Sequence, residues 1–201
     1  MALQEEARIS ADAFLAWAAT REERFELVDG RIVRMMTGAK QSHNVVTANI
    51  VAALLPQARR GGCRTTASDT AVRTSAAGIR YPDVVVDCGP SDPDAIEASC
   101  PAMVVEVASP GTSAIDATDK LDEYQSHPDV RLILFVDPDV LSLKLYRRDI
   151  EGRWRVEKYG VLDETIPLPE IGGSLAVAEI YATLDPAPGP SLRLVDGPTP
   201  R

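Results

Sequence analysis

Two short runs, Val84-Val85-Val86 and Met103-Val104-Val105, are apolar without alternation and are bounded by Pro82, Gly89, Pro101 and Pro110. Runs of this kind suit central strands covered on both faces, because a strand with one wet face would alternate. They set the core of a sheet that helices must cover. Between residues 43 and 59, Val46, Ile50, Ala53 and Leu54 recur at a spacing of three to four and lay a stripe on one helical face. A further helix is predicted over 113–126, a buried strand over 131–136 and an alternating strand over 141–148, with Asp137-Pro138-Asp139 as the turn between the last two.

The flanks add smaller elements. Ser10 can cap a helix over residues 10–19, its hydroxyl accepting an otherwise unpaired amide, with Phe14, Leu15 and Trp17 on the apolar face. Over 25–36 two apolar segments flank Asp29-Gly30, a dipeptide that tolerates the positive φ of a tight turn, so a β-hairpin is predicted. Gly61-Gly62 ends the long helix, and 63–73 alternates polar and β-branched residues as a half-buried strand does. An edge strand over 153–159 and a short terminal helix over 179–184 complete the pattern. A chain of 201 residues, 45% hydrophobic and 25% charged, has the makeup of one globular domain. The expected organisation is an α/β domain over 1–184, with a mixed central sheet flanked by helices. Residues 185–201 hold five prolines and little that forms a packed face, so a flexible tail is expected there.

Charge narrows the function classes. With 30 acidic against 21 basic residues and a formal charge of -9, the surface is not basic all over, so any polynucleotide must be engaged locally. Two arginine clusters offer such contacts, Arg59, Arg60 and Arg64 in one and Arg147, Arg148, Arg153 and Arg155 in the other, although surface solvation explains either as well. No helix-turn-helix or zinc-finger pattern is present to read bases. Cys63, Cys88 and Cys100 are widely spaced and form no zinc or disulfide framework, which leads to an expectation of reduced cytosolic thiols. The first residues have neither a basic nor an apolar leader pattern, and no stretch approaches a membrane span, so a soluble cytoplasmic protein is expected.

The chemistry-bearing residues are Asp83, after Tyr81-Pro82 and leading into one apolar strand, Glu106 near the end of the second, and Lys120 on the helix after it. Adjacent strands can bring the two carboxylates within a few ångströms, an arrangement that hard divalent cations such as Mg2+ favour. Such a cation polarises a phosphoryl oxygen and acidifies water, while Lys120 orients that water or neutralises charge on the phosphate. Glu106 interrupts an apolar strand, and a buried unpaired charge is costly, so it needs a partner: a metal, or a core arginine such as Arg80. Asp116, Lys120 and Tyr124 lie four apart and share a helical face, where an ordinary i,i+4 ion pair would explain two of them. Glu26 beside the hairpin turn reads as a solvated acid, and His43 near a helix start either binds phosphate or merely caps and packs. His127 before Pro128 reads as a helix end.

These residues occur in an order that resembles the Uma-type restriction endonucleases of the PD-(D/E)XK nuclease superfamily. The marks span residues 25–184. They are Phe25-Glu26-Leu27-Val28-Asp29-Gly30, His43 opening the long helix, Pro82-Asp83-Val84, Val105-Glu106-Val107-Ala108-Ser109-Pro110, Asp116 with Lys120 and Tyr124, and Val136-Asp137-Pro138. The resemblance implies a restriction-endonuclease-like fold, with Asp83 and Glu106 as metal ligands and Lys120 as the catalytic lysine. Glu26, His43 and Tyr124 fall on further motif positions. The superfamily's short form places lysine two residues after the second acid, where this chain has Ala108, so the lysine function must come from the helix. The chain also departs from the family after that helix, with Asp129-Val130-Arg131-Leu132-Ile133-Leu134-Phe135 in place of a Gly-Val-x-Glu-Tyr-Trp-like run. The implied activity is Mg2+- or Mn2+-dependent cleavage of nucleic acid, DNA foremost, by a homodimer, since cutting a duplex usually needs two sites. Two rivals are a non-catalytic interaction module that keeps the carboxylates for structure or regulation, and a metal-independent two-carboxylate glycoside hydrolase that leaves Lys120 idle.

Overall fold

The computed structural model describes residues 8–35, 38–109 and 114–189. Helix α1, Ala11–Ala18, starts where Ser10 Oγ accepts the Ala13 amide at 3.3 Å. Strands β1, Phe25–Val28, and β2, Arg31–Arg34, form the expected hairpin, with Asp29 at φ 49° and Gly30 at φ 78° supplying the turn. Helix α2, Gln41–Arg60, buries Val46, Ile50, Leu54 and Ala58 along one stripe and stops at Gly61-Gly62. Then follow β3, Arg64–Ala67, β4, Val72–Ser75, β5, Gly78–Arg80, β6, Val84–Asp87, and β7, Pro101–Val107. Helix α3, Ala114–Ser126, leads to β8, Leu132–Asp137, β9, Ser142–Arg148, and β10, Trp154–Tyr159. A small unit closes the chain: β11, Thr165–Leu168, a 3-10 turn at Pro169–Ile171, β12, Gly173–Ala176, and α4, Val177–Ile180.

The main sheet runs β10-β9-β8-β7-β6-β3. It is mixed, with β7 and β8 parallel across the α3 crossover and the remaining neighbours antiparallel. Alternate residues of the central strands go to opposite layers. Val84, Val86, Met103 and Val105 pack with Val46, Ile50 and Leu54 of α2, whereas Val85, Val104 and Ile133 pack with Tyr124 of α3. Double coverage is why these runs are apolar throughout. A second, antiparallel sheet in the order β2-β1-β5-β4 carries α1, with Phe14 and Leu15 against Leu27 and Ile79. No helix among the described residues is long and apolar enough to cross a membrane.

Several expectations are corrected. The strand anticipated over 63–73 is divided between the two sheets, because Ser68 takes φ 61° and turns the chain after β3. Cys63 and Cys88 are disulfide-bonded rather than reduced. They lie just beyond the Arg64–Asp87 pairing of β3 with β6, which sets their Cα atoms 4.1 Å apart. The terminal helix begins earlier and is shorter than expected. The first residues assigned to a tail are bound to the domain: Leu141 donates its amide to Ala187, and Ala187 to Asp139. Residues 190–201 and the predicted helix start at Ser113 lie outside the described residues. Strands β5, β11 and β12 were not anticipated, being only three or four residues long.

Asp87 fastens the far edge of the main sheet. Its carboxylate accepts the amides of Gly89 at 2.9 Å, Cys100 at 2.8 Å and Ser99 at 3.1 Å, and pairs with Arg64 at 2.8 Å. Burial alone would raise its pKa, but these donors outweigh burial and hold it below the ordinary value of 3.8. A depressed folded-state pKa stabilises the fold fully above 3.8, and that contribution is lost as pH falls through the lower folded value. Asp87→Asn is therefore expected to cost about 1–3 kcal/mol in urea unfolding at pH 7, with the gap to wild type narrowing in acid. A gap that stays constant with pH would refute this account.

Candidate active site

The β6–β7 register pairs Val84 with Val105, and one step further out it sets Asp83 opposite Glu106. Asp83 Oδ2 accepts the Val107 amide at 2.7 Å, fixing the carboxylate at the end of β7, and Oδ1 lies 3.3 Å from His43 Nε2 at the start of α2. Glu106, only 9% exposed, accepts Lys120 Nζ on Oε2 at 3.0 Å and the Tyr124 hydroxyl on Oε1 at 2.7 Å. Lys120 and Tyr124 are four apart on α3, so one helical face delivers both donors. Lys120 thus reaches Glu106 from the helix, while position 108 is alanine.

Glu26, from β1, continues the network. Its Oε1 accepts the Tyr81 amide at 3.2 Å and stands 3.7 Å from Lys120 Nζ, while Oε2 pairs with Arg80 at 2.9 Å. Arg80 is 2% exposed and grips Glu123 of α3 through Nε at 2.9 Å and Nη2 at 2.6 Å, with Asp116 3.7 Å away. Sequence alone offers Arg80 as a partner for Glu106; in the fold it serves Glu26 and Glu123 instead. Glu123 escapes a reading of the sequence, although its place three residues after Lys120 and seven after Asp116 puts it on the same helical face. Glu26, expected to be solvated, is buried. His127 does end α3, its Nδ1 accepting the Asp129 amide.

Electrostatics follow from this crowding. Burial pushes Glu106 up to about 7, with Asp83 and Glu26 adding to it and Lys120 and Tyr124 opposing. Burial works to lower the Lys120 pKa, but Glu106 and Glu26 more than offset it, so the ammonium stays protonated. Burial and the same two carboxylates hold the Tyr124 phenol well above its usual range, keeping it a donor. The hydrogen bond to Asp83 raises His43, whose buried Nδ1 has no partner among the described residues. A cavity of about 230 Å3 adjoins His43, lined also by Lys40, Ser109 and Asp139. The second arginine cluster and Arg64 are engaged internally, Arg64 with Asp87, Arg147 with Glu157 and Glu170, Arg148 with the His127 and Pro128 carbonyls, and Arg153 and Arg155 with Asp149, whereas Arg59 and Arg60 are exposed.

Among the described residues, no group of three His, Cys, Asp or Glu side chains forms a ready cage for an ion. Asp83 and Glu106 nevertheless fit a hard divalent cation. They supply carboxylate oxygens from facing register positions, and each Glu106 oxygen keeps a second lone pair beyond its present donor.

A family model described as "Uma2: Putative restriction endonuclease" matches residues 11–178. A protein of Synechocystis sp. (strain PCC 6803) described as uncharacterized is 30% identical over 179 residues, spanning 88% of this chain and 93% of its own. A crystal structure from Anabaena variabilis, described as "a putative nuclease belonging to DUF820", is similar at a TM-score of 0.70 and 18% identity, covering 87% of this chain and 98% of that one. At that identity the likeness speaks for the fold, a mixed α/β nuclease fold.

Arg80→Met would strand Glu26 and Glu123 without their cation. A loss of about 3–5 kcal/mol in urea unfolding is expected, with Glu26→Gln on top of it restoring part of the loss. Additive losses would show that the buried pair is not the source.

Proposed function

This chain belongs to the Uma2 family, and we propose that it is a divalent-metal-dependent endonuclease that hydrolyses phosphodiester bonds of nucleic acid, DNA foremost. The observation that carries the reading is Lys120, an ammonium 3.0 Å from the buried Glu106 in a site whose other acid, Asp83, faces it across paired strands. Asp83 and Glu106 would hold Mg2+ or Mn2+. An ion held there supplies Lewis acidity toward a phosphoryl oxygen and toward water.

The chain's own groups do the rest. Lys120, kept protonated by Glu106 and Glu26, stabilises negative charge growing on the phosphate. Tyr124 anchors Glu106, and the Val107 amide anchors Asp83, so both carboxylates are positioned before substrate arrives. His43, held by Asp83 at 3.3 Å, stands at the edge of the adjoining cavity where a phosphate can meet it. Glu26 steadies Lys120 and is itself held by Arg80. Where both strands of a substrate are to be cut, two such sites are called for, and we propose a homodimer.

One observation favours the non-catalytic alternative: both Glu106 oxygens are already satisfied within the protein. The two readings part on metal affinity and on cutting. Purified protein incubated with single- and double-stranded DNA and RNA in Mg2+ or Mn2+ is expected to cleave, with activity abolished by EDTA and reduced at least roughly 100-fold by Asp83→Ala or Lys120→Met. Cutting that persists undiminished in Asp83→Ala, or absence of cutting with either metal, overturns the assignment. Calorimetric titration with Mn2+ is expected to lose its binding heat in Asp83→Ala; equal heats in both proteins would favour the module.

A further inference from the structure

Strand pairing sets five side chains in one row on the α3 face of the main sheet. Asp83 faces Glu106, Glu106 pairs with Phe135, Phe135 with Lys144, and Lys144 with Lys158. Neighbouring strands lie about 4.8 Å apart, so Lys144 begins roughly 10 Å and Lys158 roughly 14 Å from Glu106. One step along, Tyr146 stands beside Phe135, ring centroids 6.1 Å apart and planes at 84°. A groove of about 400 Å3 opens here, walled by Ala117 and Leu121 of α3 and by Phe135, Lys144 and Tyr146 of the sheet. It shares Ala108 and Asp137 with the cavity beside His43, so the two flank the end of β7 where the carboxylates sit.

The fold does not explain the lysines. Like charges directly opposite on antiparallel strands repel. Lys144 and Lys158 are both exposed, and neither ammonium has a partner among the described residues. In a chain of net charge -9 whose arginines are largely engaged, this is a cationic patch kept free. The one acid in the groove wall, Asp137, spends Oδ1 on the amides of Asp139 and Val140. Aromatic edges beside unpaired lysines match a nucleotide, with a base for the rings and a phosphate for the ammonium groups.

We propose that this groove is a subsite for one nucleotide of a single-stranded segment. Its base lies against Phe135 and Tyr146, its phosphate meets Lys144 and Lys158, and the neighbouring phosphate reaches Asp83 and Glu106. The subsite rests on the nuclease reading for its orientation, while its binding is separable from catalysis. An unpaired base enters the groove, whereas a base stacked inside a duplex does not.

The test is fluorescence anisotropy of a labelled oligothymidylate with the full chain in EDTA, where no cutting occurs. Lys144→Glu with Lys158→Glu, two exposed changes whose folding is checked by circular dichroism, is expected to weaken binding at least tenfold. It should also flatten the salt dependence, by roughly 0.7 in log–log slope for each phosphate that is no longer neutralised. Tyr146→Leu, which keeps an apolar side chain, should weaken binding without changing that slope. A duplex of equal length should bind at least tenfold more weakly than the single strand. Wild-type affinity in the double lysine variant, or equal affinity for duplex and single strand, overturns the subsite. Cleavage that depends on Asp83 while the groove variants bind normally would sink the subsite alone, and groove-dependent binding without any cleavage would sink the nuclease reading alone.

Discussion

Glu106 is a negative charge set in a strand that α2 covers on one side and α3 on the other, and leaving it there unpaired would cost several kcal/mol. Much of the site's architecture answers that constraint. Lys120 and Tyr124 supply donors from α3, and their own desolvation then has to be met. Glu26 meets it for Lys120, which requires the β1–β2 hairpin to reach the helix. Arg80 meets it for Glu26 and at the same time clamps Glu123, so the second sheet is fastened to α3 by charge as well as by packing. A network of this kind tolerates the loss of no single member easily, because each deletion leaves the next charge exposed to a low dielectric.

The parts of this arrangement that were legible in the sequence are those with a local signature. The doubly covered strands show as unbroken valine runs, α2 as a stripe, and the hairpin as Asp29-Gly30. Asp83, Glu106 and Lys120 stand out because a carboxylate in an apolar strand demands a partner and a helix face four residues apart can provide one. What was not legible depends on pairings across the chain. Nothing around Arg80 says that it will meet Glu26 across 54 residues and Glu123 across 43. The Cys63–Cys88 bond likewise depends on the β3–β6 register rather than on cysteine spacing.

The acidic balance of the chain, which argues against bulk attraction to polynucleotide, also sharpens the meaning of its free cations. Several arginines that look like binding clusters in sequence turn out to be structural: Arg64, Arg147 and Arg148 close loops and strand ends. Where uncommitted positive charge lies on the sheet face carrying the carboxylates, it has a direction. Lys120 is tied to the acids, whereas Lys144 and Lys158 are not.

The two edges of the main sheet therefore carry different burdens. At the β3 edge a disulfide, the Asp87 amide cluster and Arg64 hold loop and strand together, and the chemistry is wholly structural. Toward the β10 edge a groove with aromatic and cationic walls opens between α3 and strands β8 and β9. Asp83 and Glu106 sit between them, on strands that packing on both faces holds in register. Rigidity on one side and an open face on the other is what a site needs if it must keep two like charges a few ångströms apart and still admit a polyanion.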